Sequence, residues 1–310
     1  MTDSSIIKDS LEKNVEINLV KFLQIVWDQK VSLILITLIF ACFSIFYSLS
    51  IENTYRSSAT LIVNSKSFKN NNQPRSETFG SMINLGLGAN NTSELRIAIK
   101  TLQSRDFFEH LISIDKVLPD VIAAIGYDEE NRNVIYDKKI YDAENNIWTK
   151  GYLPSVTDAY LKYQEITEFS VIDGFLNIET NHVSPIFAKD FVDLIIYELN
   201  NITRFNDIKI SQQHIDYLNL RSSETNQSNI LNSLNNLIED ELRNQTLAQL
   251  NTDYWLKTLE SPYISKYAFK PNRAVICITI TTFGFLIALI FILVKNSLIK
   301  PSELKRFKYK

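Results

Sequence analysis

The chain has 310 residues, of which 45% are hydrophobic, and a formal net charge of −3. That length is enough to bury a core of ordinary size. Residues 52–273 hold 22 basic and 29 acidic side chains, which gives this segment a net charge of −7. The acidic balance excludes a nucleic-acid-binding protein, because such proteins need a basic surface.

Two apolar segments, residues 31–51 and 274–294, contain 21 residues each and no charged side chain. A helix of that length spans about 30 Å, the thickness of the hydrocarbon core of a bilayer, and satisfies its own backbone hydrogen bonds there. The alternatives are a buried core helix or, for the first segment, a signal peptide. The first segment follows a polar arm of thirty residues and lacks a small-residue cleavage site. We therefore predict two membrane-spanning helices.

The distribution of Lys and Arg predicts the orientation of these helices. Residues 295–310 carry six basic side chains against one acid, Glu303, and residues 1–30 carry four lysines. We therefore expect a cytoplasmic N-terminal arm (1–30), an outer domain (52–273) and a basic cytoplasmic tail (295–310). Both cysteines, Cys42 and Cys277, fall in the spans, so the outer domain has no disulfide.

The first half of the outer domain predicts a strand and a helix. Residues 55–63 are β-rich and follow the first span directly. A polar loop over residues 64–77 and a glycine-bearing apolar stretch from Gly80 to Gly88 come next. Residues 94–114 then show helical spacing of their apolar side chains. The middle third is irregular, and we find no internal repeat.

The second half predicts a hairpin and an extended helical region. Residues 169–178 read as two short strands joined by Asp173-Gly174, a dipeptide typical of a type I′ turn. Residues 186–261 contain neither Gly nor Pro, which indicates one or two very long helices. An apolar stripe of near-heptad spacing lies within them, formed by Leu231, Leu234, Ile238 and Leu242. A continuous helix would reach on the order of 110 Å, so we expect it to pack as an intramolecular hairpin or in an oligomer.

The sequence offers no catalytic constellation. His110, His182 and His214 have no metal-ligand spacing, so each is interpreted as an exposed or packed residue. Three consecutive acids, residues 239–241, would splay around a helix and indicate a solvated face. The glycine stretch lacks the Gly-Lys-Ser/Thr ending of a phosphate-binding loop, and no serine lies in a nucleophile-elbow pattern. We predict no catalytic, cofactor-binding or metal site, and no cofactor.

Six segments are informative through their order and spacing. They are Glu16-Ile-Asn-Leu-Val-Lys21, Tyr55-Arg-Ser-Ser-Ala-Thr-Leu-Ile-Val63, Thr101-Leu-Gln-Ser-Arg-Asp-Phe107, His182-Val-Ser-Pro-Ile-Phe-Ala188, Leu237-Ile-Glu239 and Leu247-Ala248. Together they resemble the chain-length determinant family of bacteria, the Wzz-type polysaccharide co-polymerases. One departure is visible. The family usually has a proline-rich segment before the second span, where this chain has only Pro262 and Pro271.

The resemblance implies a protein of the Gram-negative inner membrane. We expect an α+β fold, with two transmembrane helices flanking a periplasmic domain that has a small mixed sheet and a long extended helical arm. The expected function is non-enzymatic control of the chain length of a surface polysaccharide, such as the O-antigen of lipopolysaccharide. The expected partners are other copies of the chain, the membrane polymerase, membrane lipid and the lipid-linked glycan.

Two other functions are compatible with the sequence. One is a membrane-anchored scaffold or transport accessory protein that uses the long helix as a docking rod. The other is a periplasmic glycan-processing enzyme, which would require a cleft with pKa-shifted acids. Because 16 residues follow the second span, we expect no C-terminal tyrosine-kinase domain of the kind found in related capsule proteins.

Overall fold

The computed structural model describes residues 24, 26–63, 89–152 and 154–299. The helices in these ranges are α1 (Lys30–Ser50), α2 (Ala89–Leu102), α3 (Arg105–Ile112), α4 (Val117–Ala123), α5 (Val156–Ile166), α6 (Pro185–Glu224), α7 (Ser228–Leu250) and α8 (Arg273–Ile299). The strands are β1 (Tyr55–Val63), β2 (Ala124–Asp128), β3 (Asn133–Tyr136), β4 (Tyr141–Asp142), β5 (Ile147–Trp148), β6 (Thr167–Ile172), β7 (Phe175–His182) and β8 (Leu256–Glu260). The chain divides into two compact units, Met1–Ile51 with Pro271–Lys310, and Glu52–Lys270.

Helices α1 and α8 form the first unit, and both are long and apolar enough to cross a membrane. Only 11% and 17% of their most apolar windows are buried, whereas a core helix of a soluble protein is mostly buried. The two helices pack against each other at Gly284, where an added Cβ would collide with the Phe40 side chain. Small side chains continue this contact, since Ser44, Ser48 and Ala288 are fully buried.

Four expectations fall wholly or mostly on residues that the structure does not describe. These are the N-terminal arm up to residue 23, the polar loop over residues 64–77, the stretch from Gly80 to Gly88, and the basic tail from residue 300 onward.

A four-stranded sheet in the order β6-β7-β1-β8 organises the second unit. All three pairings in this sheet are antiparallel, so the α+β fold class is confirmed but the expected mixed sheet is wrong. The reason lies in the connections. A two-residue turn joins β6 to β7, which permits only an antiparallel pair. Strands β1 and β8 come from opposite ends of the unit's chain and run in opposite directions.

The predicted hairpin is confirmed. Asp173 and Gly174 both have positive φ, 54° and 83°, as a type I′ turn requires. Phe175 pairs with Ile172 directly across the turn, which sets the register of the whole hairpin. In the neighbouring strand β1, buried residues alternate with half-buried ones, so one face of the sheet carries the core.

The helix predicted over residues 94–114 is two helices, α2 and α3. Ser104 ends the first and caps the second, because its Oγ accepts a hydrogen bond from the Phe107 N–H at 3.2 Å. Leu95, Leu102, Phe107 and Leu111 are nonetheless fully buried or nearly so, as the spacing predicted.

The region predicted as long helix, about residues 186–261, contains α6, α7 and the edge strand β8. It breaks at Thr225–Gln227, where the backbone is extended without Gly or Pro. Ser, Thr and Asn are concentrated around this break, and their side chains compete with the helix for backbone hydrogen bonds. The two helices form an antiparallel hairpin, the intramolecular alternative of the two that the sequence left open.

The main core lies between the sheet and helices α2, α3, α5 and the first half of α6. Its largest fully buried side chains include Tyr163, Phe108, Phe191 and Leu256. Tyr163 also donates a hydrogen bond to the Leu102 carbonyl oxygen at 2.9 Å, so its hydroxyl group is satisfied inside the core. Helix α6 therefore begins in the core and ends in the helical hairpin, over about 60 Å.

Candidate functional site

Two of the three histidines join neighbouring helices. The Nε2 atom of His110 lies 2.7 Å from a carboxylate oxygen of Glu198, which links α3 to α6. The Nδ1 atom of His214 lies 3.0 Å from a carboxylate oxygen of Glu241, which links α6 to α7. No group of three or more potential metal ligands exists among the described residues.

The third histidine, His182, is buried at the end of β7. Its Nε2 atom lies 3.0 Å from the Asp120 carbonyl oxygen, and its Nδ1 atom accepts a hydrogen bond from the Ser184 N–H at 3.1 Å. Its ring lies 4.3 Å from that of Phe187, measured between centroids. Burial lowers the pKa of His182 to about 4, against the opposing effect of its two backbone hydrogen bonds. The ring is therefore neutral near pH 7, and its two hydrogen bonds fix the backbone at the start of α6.

The three consecutive acids of α7 point in different directions, as the sequence predicted. Glu239 is exposed, and Asp240 forms an ion pair with Arg243 at 3.1 Å. Glu241 faces α6, where it accepts a hydrogen bond from Ser211 Oγ at 2.7 Å. Glu241 therefore serves the packing of α6 against α7 and departs from the predicted solvated face, and the three acids do not form a paired-carboxylate arrangement.

The helical hairpin of α6 and α7 exposes an unusual number of large apolar side chains. Ten of them are between 42% and 74% exposed: Tyr197, Phe205, Ile210, Tyr217, Leu220, Ile230, Leu237, Leu242, Leu247 and Leu250. The predicted stripe contributes only Leu231, Leu234 and Ile238 to the half-buried face of α7, and Leu242 lies outside it. Exposed apolar side chains are thus present on both helices of the hairpin.

A buried asparagine fixes the base of the helical hairpin. The side chain of Asn200 accepts hydrogen bonds from the N–H groups of Trp255 and Leu256 at 2.9 and 2.7 Å. It also donates a hydrogen bond to the Leu256 carbonyl oxygen at 2.8 Å. Helix α6 is thereby tied to the edge strand β8, so the hairpin projects from a fixed point of the sheet.

A shallow pocket of about 340 Å³ lies beside the start of α6. It is lined by Ile114, Asp115, Lys116, Val117, Asp120, Arg132, Val134, Ser184, Ile186, Phe187, Asp190, Phe191 and Leu194. The first five come from the loop before α4 and from α4 itself, the next two from the β2–β3 hairpin, and the rest from the start of α6. Three separate segments contribute these residues, so no pattern in the sequence indicated that they form one pocket.

Asp120 is the most enclosed charged group of the pocket. It accepts a hydrogen bond from the Tyr136 hydroxyl group. Burial raises the pKa of Asp120, while Tyr136 and the charge of Lys116 act in the opposite direction. Burial and the same hydrogen bond raise the pKa of Tyr136. Asp120 is thus held in place by the fold and supplies a fixed acceptor at the pocket wall.

One comparison with known proteins agrees with the resemblance drawn from the sequence. Residues 15–114 match the family model of the chain length determinant protein, Wzz. A full-length bacterial polysaccharide co-polymerase of known structure is 14% identical, with 93% of this chain and 98% of that chain covered and a TM-score of 0.36. A comparison with curated proteins gave no match. The match to the family model confirms the resemblance to the chain length determinant family over residues 15–114, about a third of the chain.

Proposed function

We propose that this chain is a non-enzymatic regulator of the chain length of a surface polysaccharide. Its residues 15–114 match the model of the chain length determinant family. The family match is the observation that carries the proposal. Lipopolysaccharide O-antigen is the polymer that we expect, and the membrane polymerase is the expected partner. The chain would act by organising the polymerase or by holding the growing glycan.

We further propose an inner-membrane location with both termini in the cytoplasm and the Glu52–Lys270 unit in the periplasm. Two apolar helices of membrane-spanning length support the membrane location. The excess of Lys and Arg in residues 295–310 supports the orientation. The proposed segments are an N-terminal arm (1–30), a first span (31–51), a periplasmic domain (52–273), a second span (274–294) and a basic tail (295–310).

The proposed working form is a homo-oligomer assembled through the helical hairpin. Its ten exposed apolar side chains support this form, because burying them against a second copy removes apolar surface from water. Light scattering of the purified protein in detergent should give a mass of several chains. A monodisperse monomer at micromolar concentration would contradict the proposed assembly.

Deleting the gene and separating the surface polysaccharide on a gel tests the function. We expect an altered distribution of polymer lengths with unchanged sugar composition, and restoration by the wild-type gene. An altered composition would favour a glycan-processing enzyme. Loss of surface polymer, with the polymer accumulating inside the cell, would favour a transport accessory protein. An unchanged pattern would refute the proposal.

A further inference from the structure

Two β-hairpins of the second unit are built on the same turn, although the sequence suggested no repeat. In β2–β3 the turn is Asp128-Glu-Glu-Asn-Arg132, and in β4–β5 it is Asp142-Ala-Glu-Asn-Asn146. Each aspartate pairs with the residue five positions later, Asn133 in the first hairpin and Ile147 in the second. The two turns are therefore equal in length and position.

The hydrogen bonds of the two turns also correspond. Asp128 Oδ1 accepts from the N–H groups two and three residues later, and Asn131 donates to Asp128 Oδ2 at 2.8 Å. Asp142 and Asn145 repeat this arrangement, again with 2.8 Å between the two side chains. Both turns end on a residue with positive φ, 54° at Arg132 and 52° at Asn146.

The two turns differ at this last residue. Asn adopts positive φ readily, and Asn146 is the residue that such a turn favours. Arg has no such preference, so the backbone alone does not account for Arg132. The location of Arg132 accounts for an arginine here, because Arg132 lines the pocket and Asn146 does not. Arg132 has no ion-pair or hydrogen-bond partner among the described residues.

The chemistry of the pocket is mixed in charge. Lys116 and Arg132 can only donate hydrogen bonds, whereas the carboxylates of Asp115, Asp120 and Asp190 accept them. An anionic ligand would be opposed by the three carboxylates, and a cationic ligand by the two basic side chains. A hydroxyl group both donates and accepts, so a neutral ligand with several hydroxyl groups can bridge the two kinds of side chain.

The remaining wall of the pocket is apolar. Val117, Val134, Ile186 and Phe187 contribute to it. A sugar ring presents apolar C–H groups on its faces and hydroxyl groups at its edges, which fits a wall of this kind beside polar groups. A volume of about 340 Å³ lies at the small end of the range for ligand pockets, and it admits one or two sugar rings.

We propose that this pocket binds a neutral sugar unit of the polysaccharide, with Arg132 and Asp190 hydrogen-bonded to its hydroxyl groups. The inference rests on the proposed function for the identity of the glycan. The pocket residues all belong to the Glu52–Lys270 unit. A regulator with such a pocket contacts the growing chain directly and does not act on the polymerase alone.

Calorimetric titration of the full-length chain in detergent tests the proposal. The probe is an oligosaccharide of one to three repeating units, released by mild hydrolysis from the surface polysaccharide of the same bacterium. We expect saturable binding, and a dissociation constant raised about tenfold in Arg132→Asn and in Asp190→Asn, since each removes a charge-assisted hydrogen bond. Arg132→Asn should fold normally, because Asn suits the positive φ.

The double variant Arg132→Asn with Asn146→Arg is the matched control. It moves the guanidinium group to the equivalent turn and leaves the net charge unchanged. Binding should weaken as in Arg132→Asn alone, while restored binding would mean that net charge matters and the pocket does not. Absence of binding at millimolar probe, or equal binding by all the variants, would overturn the inference. The same titration with inorganic phosphate should give no binding, and tight phosphate binding would identify an anion site instead.

The failure of this inference is distinguishable from failure of the proposed function. A gene deletion that changes polymer length, with no binding of the oligosaccharide, refutes the pocket alone. Binding that depends on Arg132, with a deletion that leaves polymer length unchanged, refutes the length regulator and leaves the glycan site standing.

Discussion

Single residues of one type have different roles in this chain because their surroundings differ. His110 and His214 lie at helix contacts, where each faces a glutamate. His182 is enclosed between the end of β7 and the start of α6. The sequence gives all three the same interpretation, an exposed or packed residue. Only their tertiary contacts reveal that one of them supports the core.

His182 should make stability depend on pH. Its pKa is about 4 when folded and about 6.5 when unfolded, so the unfolded state binds the proton more tightly. The stabilisation is complete above about pH 6.5 and is lost as the pH falls toward 4. We expect the free energy of unfolding to decrease by about 3 kcal/mol over this interval. Denaturant titrations followed by the fluorescence of Trp148 and Trp255 would measure it.

A comparison of variants isolates this effect from the titration of carboxylates. His182→Leu should be less stable at pH 7, because two hydrogen bonds are lost, but its stability should depend less on pH between 6.5 and 4. Identical pH dependence in the wild type and His182→Leu would contradict the assignment.

Among the helices and strands, the sequence predicted those that a local sequence pattern marks. The β6–β7 hairpin was found from Asp173-Gly174, and the spans from uninterrupted apolar runs. The sequence left open one or two helices over residues 186–261, and the position of the break was not predicted because only Gly and Pro were taken as signals that end a helix. The concentration of Ser, Thr and Asn around residues 222–229 was the available signal. The pocket could not be predicted, since its residues meet only after folding.

A proline in α7 tests the role of the helical hairpin. Leu234 lies half-buried on the face of α7 toward α6, inside the helix. Leu234→Pro removes a backbone hydrogen bond and introduces a clash, which costs about 3 kcal/mol or more. We expect a broadened or shifted length distribution while polymer is still made, as measured on a gel of the surface polysaccharide.

Gln227→Pro is the matched control for this prediction. Gln227 precedes α7 with φ of −83°, which suits proline. This variant should keep the wild-type length distribution. If Leu234→Pro were tolerated, while a change of His110, His214 or Glu239 abolished activity, a catalytic role would replace the regulatory one.

Gly284 should determine how closely α1 and α8 approach. Gly284→Ala places a methyl group against Cβ and Cγ of Phe40, and such overpacking costs about 1–3 kcal/mol. We expect a lower melting temperature of the protein in detergent. Phe40→Ala combined with Gly284→Ala should recover much of the lost melting temperature, because removing the Phe40 ring leaves room for the methyl group. Additive losses in the double variant would show that the two residues do not interact.

For the whole molecule, the sequence predicted the class of the fold and the order of its segments better than their packing. Two spans around an α+β unit were expected, and helices of the expected kind are present. The sheet was expected to be mixed and is antiparallel. Strand direction depends on which distant segments pair, and no local pattern in β1 or β8 carries that information.

Topology is testable for the whole chain. Alkaline phosphatase, which is active only in the periplasm, should be active when fused after Asn146 and inactive when fused after Lys310. The physical reason is the basic tail, which disfavours transfer across the membrane. Activity of both fusions should be compared with the amount of fusion protein on a blot. The reverse pattern would place the Glu52–Lys270 unit in the cytoplasm.

The two ends of the Glu52–Lys270 unit are joined by hydrogen bonds. The Thr54 N–H donates to the Lys270 carbonyl oxygen at 2.9 Å, and the Phe269 N–H donates to the Thr54 carbonyl oxygen at 2.8 Å. Because its chain enters and leaves at one point, the unit can be exchanged as a whole. Helices α6 and α7 could be lengthened or shortened by whole helical turns on either side of residues 225–227 without moving those two ends. Relatives with arms of different length could therefore share one way of attaching to the bilayer, and chimaeras that exchange only the arm should insert normally.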